Sequence, residues 1–408
     1  MQYIQLAWRN IWRNPRRTIV ILLAVLIGVW SMVFLGALMR GITVGMVKNG
    51  IATLTGHLQI HYPGFHDDPS IENRITNVVQ LTETLSHVLP DKSRWALRVR
   101  VPAVAANARH SAGVTLVGVD PVTEARVSFI GGAIKMGKYL SDEDDHSIVV
   151  GEALLKTFNT KLGHKLVLMS QSVDGEMVSR AFRIVGSFRA ELMSTEKQYV
   201  FVTRRSAQKM LKLRKDITEV SILLPDVNDV HRVREALLNA LPNSEYEVLT
   251  WTELLPLLTA YLKLYDQFIL IWYLVVFVAM AFGIVNTTLM AVLERIREFG
   301  LLQVFGMRPF FILGEVLVES FILLIIGIAA GNALALACIF GLGKSGLDLS
   351  AFAAGVEFAG MSRIIYPDLQ LQDWVMANLV VLVLGLVVSC YPAFKASRYR
   401  PVEALAYA

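Results

Sequence analysis

Four long apolar segments constrain this chain more than any other feature of its sequence. A helix needs about 20 apolar residues to cross a hydrocarbon core of about 30 Å, and four windows approach or exceed that length. We therefore expect an α-helical membrane protein with four transmembrane helices. No small-residue cleavage site directly follows the first segment, so we interpret it as a retained anchor. With flanking residues, the predicted spans are residues 18–39, 268–293, 311–340 and 374–394.

Basic residues near these spans predict the orientation of the chain. Lysine and arginine are enriched in cytoplasmic loops close to the membrane. We therefore expect both termini and residues 294–310 in the cytoplasm, with residues 40–267 and 341–373 on the outer side. This asymmetry accounts for most of the net charge of +5, so we do not infer nucleic-acid binding from it. The basic residues counted are Arg9, Arg13, Arg16, Arg17, Arg295, Arg297, Arg308, Lys395, Arg398 and Arg400.

The segment between the first two spans is long enough to form a domain of its own. Residues 57–250 combine the period-2 alternation of strands with helical periodicity, which predicts a large mixed α/β domain inserted between spans 1 and 2. Residues 40–56 and 251–267 keep helical patterns beyond the bilayer, and we interpret them as stalks. Residues 91–190 are a candidate subdomain inserted into a split outer fold. Both cysteines of the chain fall in or beside predicted spans, so this domain relies on its own core.

Periodicity also predicts individual elements of this domain. A helical period of 3.6 residues predicts a helix at residues 229–241, and Pro256 is expected to bend the second stalk. Residues 147–159 are expected to form a strand followed by a helix. Alternation predicts further strands at residues 57–62, 165–170, 181–188, 197–202 and 220–224.

Residues 1–17 predict an amphipathic helix on the cytoplasmic membrane surface. Trp8, Ile11 and Trp12 lie at positions i, i+3 and i+4, which places them on one helical face with arginines between them. An ordinary positively charged flank before a membrane span has the same composition, so both interpretations stay open.

No residue pattern predicts a nucleotide, metal or catalytic site in this chain. The sequence GLGKSG at residues 341–346 contains Gly-Lys-Ser, but a P-loop needs a glycine where this chain has Cys338. His57 and His61 would be about 13 Å apart on one strand, so we interpret them and His66 as surface histidines instead of metal ligands. Since no nucleophile–base pair is visible either, we expect a chain without enzyme activity and without a bound cofactor.

The stretch VLERIREFGLLQVFGMRPF, at residues 292–310, separates the second span from the third. Its charges and its two glycines suit a short helix on the cytoplasmic face that presents charged side chains to a soluble partner. A membrane protein without an ATP site but with such a helix indicates that a partner supplies the energy. The residues to which we assign this coupling role are Glu294, Arg295, Ile296, Arg297, Glu298 and Gly300.

Two further pairs lie in the third span. Glu315 and Glu319 are one helical turn apart, and carboxylates in a membrane segment need a polar partner. We expect them to pair with Arg295, Arg297 or Arg308, and proton translocation is the alternative. Gly327 and Gly331 form a GxxxG pattern, which permits close helix packing.

Several motifs, in this order and spacing, resemble one known family. They include LAWRNIWRNPRRT before the first span, VVGEALLKTFNTKLGHKLVL and FRIVGSF in the external segment, and YEVLTWTELLP before the second span. The most specific is NTTLMAVLERIREFGLLQVFGMRP, and YPAFKASRYRPVEAL closes the chain. Together they are similar to the permease subunits of the MacB/FtsX/LolC–LolE group of ABC transporters, and the length of the external segment is most similar to the LolC/LolE-like members.

The resemblance implies a mechanotransmission permease of a bacterial inner membrane, with a large periplasmic domain. Two permeases, either two copies of one chain or two paralogues, would pair and bind a cytoplasmic ABC ATPase dimer. ATP and magnesium would bind to those ATPases, and the coupling helix would be residues 294–300. The movement would reach the periplasmic domains through the stalks.

The resemblance also implies a cargo, namely a lipidated protein or another amphiphile taken from the outer leaflet of the inner membrane. Extraction of an acyl chain needs an apolar cavity, because each buried methylene contributes about 0.8 kcal/mol. Plain lipid contact or helix packing is an equally good interpretation of any single residue. The candidate cavity residues on the first two spans are Trp30, Phe34, Leu38, Leu264, Phe268 and Ile271.

Three alternatives remain open from the sequence. An FtsX-like signal transmitter would control a periplasmic hydrolase and would need no cavity. A MacB-like exporter would work with a periplasmic adaptor, whereas a lipoprotein-releasing permease would work with a periplasmic acceptor. A proton-coupled transporter would use Glu315 and Glu319 and would need no ATPase.

Overall fold

The protein consists of two compact units in the computed structural model. The helical unit consists of residues Met1–Val44, Leu262–Ala351 and Ile364–Ala408. The α/β unit consists mostly of residues Gly45–Tyr261. The predicted loop at 341–373 and the predicted tail at 395–408 lie partly outside the described residues. The residues that the structure describes are 2–242, 244–349, 351, 355 and 364–398.

Helices form most of the helical unit and also cover the sheet of the α/β unit. In chain order they are α1 (Gln2–Arg13), α2 (Pro15–Gly50), α3 (Val78–Val88), α4 (Pro121–Glu124), α5 (Glu152–Thr157), α6 (Met193–Gln198), α7 (Arg204–Met210), α8 (Val230–Ala240), α9 (Trp251–Leu254), α10 (Pro256–Glu294), α11 (Ile296–Val304), α12 (Pro309–Ser345) and α13 (Leu371–Ser397).

Within the part of the chain that the structure describes, four helical segments are long and apolar enough to cross a membrane, and each contains one of the predicted spans. The first three have 41, 39 and 37 residues. At 1.5 Å per residue they are about 55–60 Å long, which exceeds a hydrocarbon core of about 30 Å. They are longer than the predicted spans because helix continues into the less apolar sequence at their ends. The segments are Pro15–Thr55, Pro256–Glu294, Pro309–Ser345 and Leu371–Ser397.

Pro256 marks the start of α10. Leu255, the residue before it, has φ −121° and ψ 64°, and this break separates the short α9 from α10. A proline suits the first position of a helix, where its missing N–H group would have no partner in any case. The expected bend is therefore a helix boundary.

Small residues bring the helices of the helical unit close together. Gly327 and Gly331 lie on the face of α12 that packs against α2. A Cβ atom on Gly327 would lie 2.6 Å from Val25 Cγ1, and one on Gly331 would lie 2.8 Å from Val29 Cβ. The GxxxG pattern therefore lies in a contact where a larger side chain would clash.

Polar contacts also join helices within the apolar core and near its edge. Asn332 on α12 donates a hydrogen bond to Asn378 Oδ1 on α13 at 2.6 Å and accepts one from Trp374 Nε1 at 2.7 Å. Arg40 on α2 forms two hydrogen bonds with Asp373 on α13, both 2.9 Å. Such contacts provide hydrogen-bond partners for polar side chains, which lipid acyl chains cannot do.

The strands of the α/β unit form one sheet. Its order is β10-β1-β9-β2-β3-β8-β5-β7-β4, and β6 pairs with β2 and β7. The strands are β1 (Leu58–His61), β2 (Arg94–Ala106), β3 (Ser111–Val119), β4 (Ile134–Gly137), β5 (Ser147–Gly151), β6 (Lys165–Gln171), β7 (Met177–Phe188), β8 (Tyr199–Thr203), β9 (Glu219–Leu223) and β10 (Glu247–Thr250). A separate two-stranded ladder joins β11 (Leu347–Asp348) to β12 (Ile364–Ile365).

The long strand β2 connects the two halves of this sheet. Residues 94–98 of β2 pair with β9, and residues 99–106 pair with β3. The candidate subdomain at residues 91–190 does not match this topology, because β8 lies between β3 and β5 in the sheet although it begins at Tyr199. Parallel pairing of β3 with β8 joins residues distant along the chain, and local periodicity does not reveal it.

The sequence pattern identifies strands of several lengths, including the second half of the long β7, but it misses the short strands β4 and β10 as well as the long β2 and β3. The strands predicted at 57–62 and 220–224 correspond to β1 and β9, and the predicted helix at 229–241 corresponds to α8. Strands β2 and β3 were not predicted. Arginines obscure the pattern of β2, because one of its fully buried positions is occupied by Arg98.

The prediction of surface histidines is wrong for His61. This side chain is 0% exposed on β1, its Nε2 lies 2.9 Å from Gln59 Oε1, and its ring stacks on Phe65 at 5.1 Å. Burial lowers the pKa of His61 to about 4, although Glu219 nearby acts in the opposite direction. The imidazole is therefore neutral in the folded protein at neutral pH. Among the described residues, no cluster of His, Cys, Asp and Glu could hold a metal ion.

We expect the α/β unit to lose stability as the pH falls from about 6.5 to 4. In that window the unfolded chain binds a proton at His61 and the folded chain does not, so the loss reaches about 3 kcal/mol near pH 4 and is absent above pH 6.5. The measurement is hydrogen exchange at the β1 amides of the full chain, corrected for intrinsic rates. His61→Gln should remove this component of the pH dependence, and an unchanged slope in that variant would contradict the assignment to His61.

Candidate functional site

A charged network in the helical unit centres on Arg295, which lies between the end of α10 and the start of α11. Its guanidinium donates hydrogen bonds to Glu315 Oε1 at 2.7 Å and to Glu319 Oε2 at 3.0 Å. Its side chain is 14% exposed, and the two carboxylates are 11% and 19% exposed. Of the three arginines proposed as partners for these glutamates, Arg295 is the one that binds them.

Helix α1 and the first turn of α2 contribute a second layer to this network. Arg13 pairs with Glu298 at 2.5 Å, and Arg17 pairs with Glu294. Asn10 Nδ2 donates to Glu315 Oε1 at 2.9 Å, so α1 also reaches the inner layer. The residues that contact α11 and α12 therefore include several that precede the first span.

This role of α1 and of the start of α2 was not predicted from the sequence. Arg13 and Arg17 were interpreted there as signals of orientation, and Glu294 and Glu298 as carboxylates that meet a soluble partner. Spacing contained a usable signal, because the two arginines are four residues apart and so are the two glutamates. Opposite charges at matched spacing can form two ion pairs. In the structure each pair straddles a helix boundary, because Arg13 ends α1 and Arg17 lies on α2, while Glu294 ends α10 and Glu298 lies on α11.

The two layers differ in strength. Hydrogen bonding to Arg13 lowers the pKa of Glu298, and the same contact raises the pKa of Arg13. These side chains are 58% and 45% exposed, and pairs at such exposure contribute about 0–1 kcal/mol. The inner ion pairs of Arg295 are less exposed, so removal of that one partner leaves two poorly hydrated carboxylates.

The predicted amphipathic helix is found as α1. Ile11 is 2% exposed and belongs to the helical core, whereas Trp8 and Trp12 are 48% and 53% exposed. The two tryptophan rings are 5.9 Å apart and nearly perpendicular. Ile11 therefore faces the protein, while the tryptophans remain available to a membrane interface, where such residues are enriched.

Helix α11 has one buried face and one exposed face. Ile296 and Phe299 are 2% and 1% exposed, and Phe299 packs in a cluster with residues of α12 and α13. Gly300 is also buried. The exposed residues lie at positions i, i+4, i+7 and i+8, which is one side of a helix. They are Arg297, Leu301 and Val304 of α11 and Phe305, the residue that caps its C-terminal end.

This arrangement divides the six residues assigned to coupling into three groups. Glu294, Arg295 and Glu298 are engaged in ion pairs within the chain, and Ile296 and Gly300 are buried. Only Arg297 lies on the exposed face of α11. The apolar residues beside it were not selected from the sequence, although Phe305 is 85% and Val304 is 60% exposed.

The candidate cavity residues fall into two groups that do not face each other within the chain. Trp30 and Phe34 on α2 stack with ring centroids 5.7 Å apart and are partly buried in the helical core, and Leu38 is partly exposed. The side of α10 that contacts α2 carries other residues, because Tyr273 Oη would lie 3.0 Å from a Cβ on Gly36. The three candidates on α10 are 50%, 66% and 54% exposed; they are Leu264, Phe268 and Ile271.

Comparison with family models covers most of the chain. Residues 18–240 match the MacB-like periplasmic core domain, and residues 270–401 match the FtsX-like permease C-terminal domain. The chain belongs to the MacB/FtsX family of ABC transporter permeases. The resemblance seen in the sequence motifs is confirmed, and this permease is a multi-pass membrane protein with a mixed α/β domain of the periplasmic type.

Individual relatives of this permease have low sequence identity to it but match it over most of its length. The chain is 22% identical to the lipoprotein-releasing system transmembrane protein LolC of Neisseria meningitidis, over 96% of this chain and 94% of the relative. It is 24% identical to LolC of Xylella fastidiosa, over 71% of this chain and 72% of the relative. The crystal structure of the periplasmic region of MacB from Actinobacillus actinomycetemcomitans is similar with a TM-score of 0.35 and 14% identity, over 52% of this chain and 92% of that one.

We expect replacement of Arg295 to destabilise the permease far more than replacement of its neighbour. In Arg295→Met, Glu315 and Glu319 lose their shared cation, and breaking a largely buried pair costs about 3–5 kcal/mol. The matched control is Arg297→Met on the exposed face of the same helix, which should change the free energy of unfolding by less than about 0.5 kcal/mol. Thermal unfolding of the purified protein in detergent measures both. Equal melting temperatures for the two variants would contradict the role of Arg295.

Proposed function

We propose that this permease couples ATP hydrolysis by a separate cytoplasmic ATPase to movement of its α/β unit, and that it extracts lipidated or otherwise amphiphilic cargo from a membrane. The observation that supports the coupling step is that α11 is held in place on one side and exposed on the other. One face is packed on α12 and α13, the ion pairs of Arg295 fix its first turn, and the opposite face is open. A docking helix needs both a rigid base and a free surface.

The exposed face of α11 suits a groove on a soluble protein. Leu301, Val304 and Phe305 form an apolar strip, and Arg297 lies at one end of it. An amphipathic helix presented in this way is a recurring mode of recognition, in which apolar anchors enter a groove and charges at the rim select the partner. We propose an ATPase groove that is apolar inside and acidic at the rim.

The ion-paired residues have a different role in this proposal. Glu294, Arg295 and Glu298 position α11 and connect it to α1 and α12, so movement of the docked helix would be passed into the helical unit. Carboxylates already paired with arginines contribute little attraction to a further partner. This replaces the expectation that Glu294 and Glu298 themselves contact the ATPase.

The cargo proposal rests on the relatives and on the exposed surface of α10. Two of the relatives are named as parts of lipoprotein-releasing systems. Leu264, Phe268 and Ile271 present an apolar surface away from α2, where a cavity between two permease chains would form. Extraction of an acyl chain needs such a surface together with an energy source, because each methylene contributes about 0.8 kcal/mol to membrane retention.

The orientation follows from the same proposal. The termini, α1 and α11 lie in the cytoplasm, where the ATPase is, and the α/β unit lies in the periplasm. The basic residues of α1 and α11 agree with the enrichment of arginine on the cytoplasmic side.

Phe305→Asp should abolish ATPase binding while the permease remains folded. The substitution removes the most exposed apolar side chain of the strip, at the C-terminal cap of α11, and places there a carboxylate that an acidic groove would repel. Purification from native membranes followed by mass spectrometry should recover a P-loop ATPase with the wild type and at least about tenfold less with the variant. The matched control is Val79→Asp, which alters a 70% exposed residue of the α/β unit. Absence of any ATPase from the wild type would overturn the proposed coupling.

Release of cargo should require both ATP and an acyl chain. The permease and its ATPase, reconstituted in vesicles, should release a diacylated fluorescent peptide to an acceptor only when ATP is present. The same peptide without its acyl chains serves as the control for passive leakage. ATP turnover without release of the acylated peptide would contradict the cargo proposal while leaving the coupling proposal intact.

A further inference from the structure

A fully buried arginine holds the end of α2 in the α/β unit. After Gly50 a π-helical turn covers Ile51–Thr55, and within it Thr53 (φ −82°, ψ 69°) and Leu54 (φ 71°, ψ −18°) leave the helical conformation. Carbonyl groups in the last turn of a helix have no partner within the helix. The Leu54 carbonyl accepts hydrogen bonds from the Arg98 guanidinium and from Gln59 Nε2, the latter at 3.0 Å. Arg98, which is 0% exposed, is therefore a direct link between this turn and strand β2.

Two carboxylates fix the position of Arg98. Its Nε and Nη2 donate to the two oxygens of Glu124 at 2.9 and 2.8 Å, which is the bidentate geometry that arginine forms with carboxylates. Its Nη1 donates to Glu219 Oε1 at 2.8 Å. Glu124 belongs to α4 and Glu219 to β9. One guanidinium thus joins two strands, a helix and the end of α2.

Charge balance keeps this cluster ionised although it is buried. Burial alone would lower the pKa of Arg98, but Glu124 and Glu219 more than compensate and raise the pKa above its ordinary value. Glu219 is also 2.7 Å from Arg100, which is 22% exposed and connects the cluster to solvent. The donors of Arg98 are therefore shared between two carboxylates and one carbonyl group.

The backbone of Leu54 shows how tightly this joint is held. Leu54 has φ 71°, a left-handed conformation that is uncommon for residues with a side chain and persists where the surroundings enforce it. Its side chain is 2% exposed and packs in a cluster with Val117, Ile130 and Phe201. Both the carbonyl group and the side chain of Leu54 are therefore anchored in the α/β unit.

We propose that Arg98 is a positioning residue that makes the end of α2 and the sheet move as one body. The inference rests on the proposed function, because it identifies the joint through which movement of α2 reaches the α/β unit. A flexible joint at residues 51–57 would absorb that movement. The Arg98 cluster removes this flexibility by fixing the Leu54 carbonyl to β2, β9 and α4 together.

The test uses the full-length permease with its ATPase and two variants. Arg98→Met/Glu124→Gln/Glu219→Gln replaces the three fully buried charged groups with neutral side chains of similar size, so no fully buried charge is left unpaired. Arg100 loses its contact with Glu219 in this variant, but its side chain is 22% exposed and in contact with water. Arg98→Lys keeps the charge between the carboxylates, but an ammonium group lacks the planar fork needed to bind both carboxylates and the Leu54 carbonyl. The control is Arg74→Met/Asp216→Asn, which removes a 3.0 Å ion pair elsewhere in the same unit.

The first readout is hydrogen exchange at the joint. Gly56 N donates to Ile51 O and His57 N donates to Ile222 O, both at 2.8 Å, so these two amides report on it. We expect both Arg98 variants to exchange there about tenfold faster than the wild type, with β9 unchanged. If the triple variant also loses protection in β9, it has misfolded, and Arg98→Lys then decides the result. Wild-type exchange at Gly56 and His57 in Arg98→Lys would overturn the proposal.

The second readout separates positioning from general stability. In the wild type, ATP should change hydrogen exchange in the α/β unit. In the Arg98 variants that change should disappear while kcat for ATP hydrolysis stays the same, whereas the Arg74 control should keep both. Retention of the ATP-dependent change in the Arg98 variants would overturn the proposal. A wild-type complex without any such change would instead refute the proposed function, and this outcome is recognisable because it does not depend on any variant.

Discussion

The ion pairs of Arg295 with Glu315 and Glu319 determine where α11 lies, and the proposed coupling depends on that position. Arg295 has φ −99° and ψ 6° and separates α10 from α11, so the helix is interrupted at the residue that carries the charge. Its guanidinium binds the N-terminal part of α12, and α12 in turn binds α1 through Asn10. A mobile α11 would expose its apolar strip without transmitting any movement. The packing of Phe299 against α12 and α13 and the ion pairs of Arg295 together give the apolar strip a fixed orientation.

A second buried arginine performs a similar task in the α/β unit. Arg98 binds the carbonyl of Leu54 where α2 ends, and Arg295 binds two carboxylates where α10 ends. In both places a long helix stops and a planar guanidinium with several donors connects its end to other elements. Such a group can bind several acceptors at once, which a lysine ammonium does less rigidly. Buried ion pairs of this kind add little net stability but specify one geometry, which suits a chain that transmits movement.

The sequence predicted the parts of this protein that depend on local patterns. The four spans follow from run length, because lipid requires every backbone group to be satisfied within a helix. Strand β1 and helix α8 follow from period 2 and period 3.6. The parallel pairing of β3 with β8 could not be predicted in this way, since it joins residues that are distant along the chain. The burial of Arg98 and His61 was also missed, because residue type alone favours the surface for both.

The candidate site shows the same division, and it leads to the most direct test. A short charged helix between the second and third spans was predicted. That Glu298 binds Arg13 within the chain, and that Phe305 is exposed instead, required the structure. The decisive measurement is photocrosslinking from position 305, with a benzophenone amino acid in place of Phe305, in native membranes. The account predicts a crosslink to a P-loop ATPase that disappears when Arg295 is also replaced by Met. Crosslinks to lipid alone would contradict it, because α11 would then face the bilayer and could not dock a cytoplasmic partner.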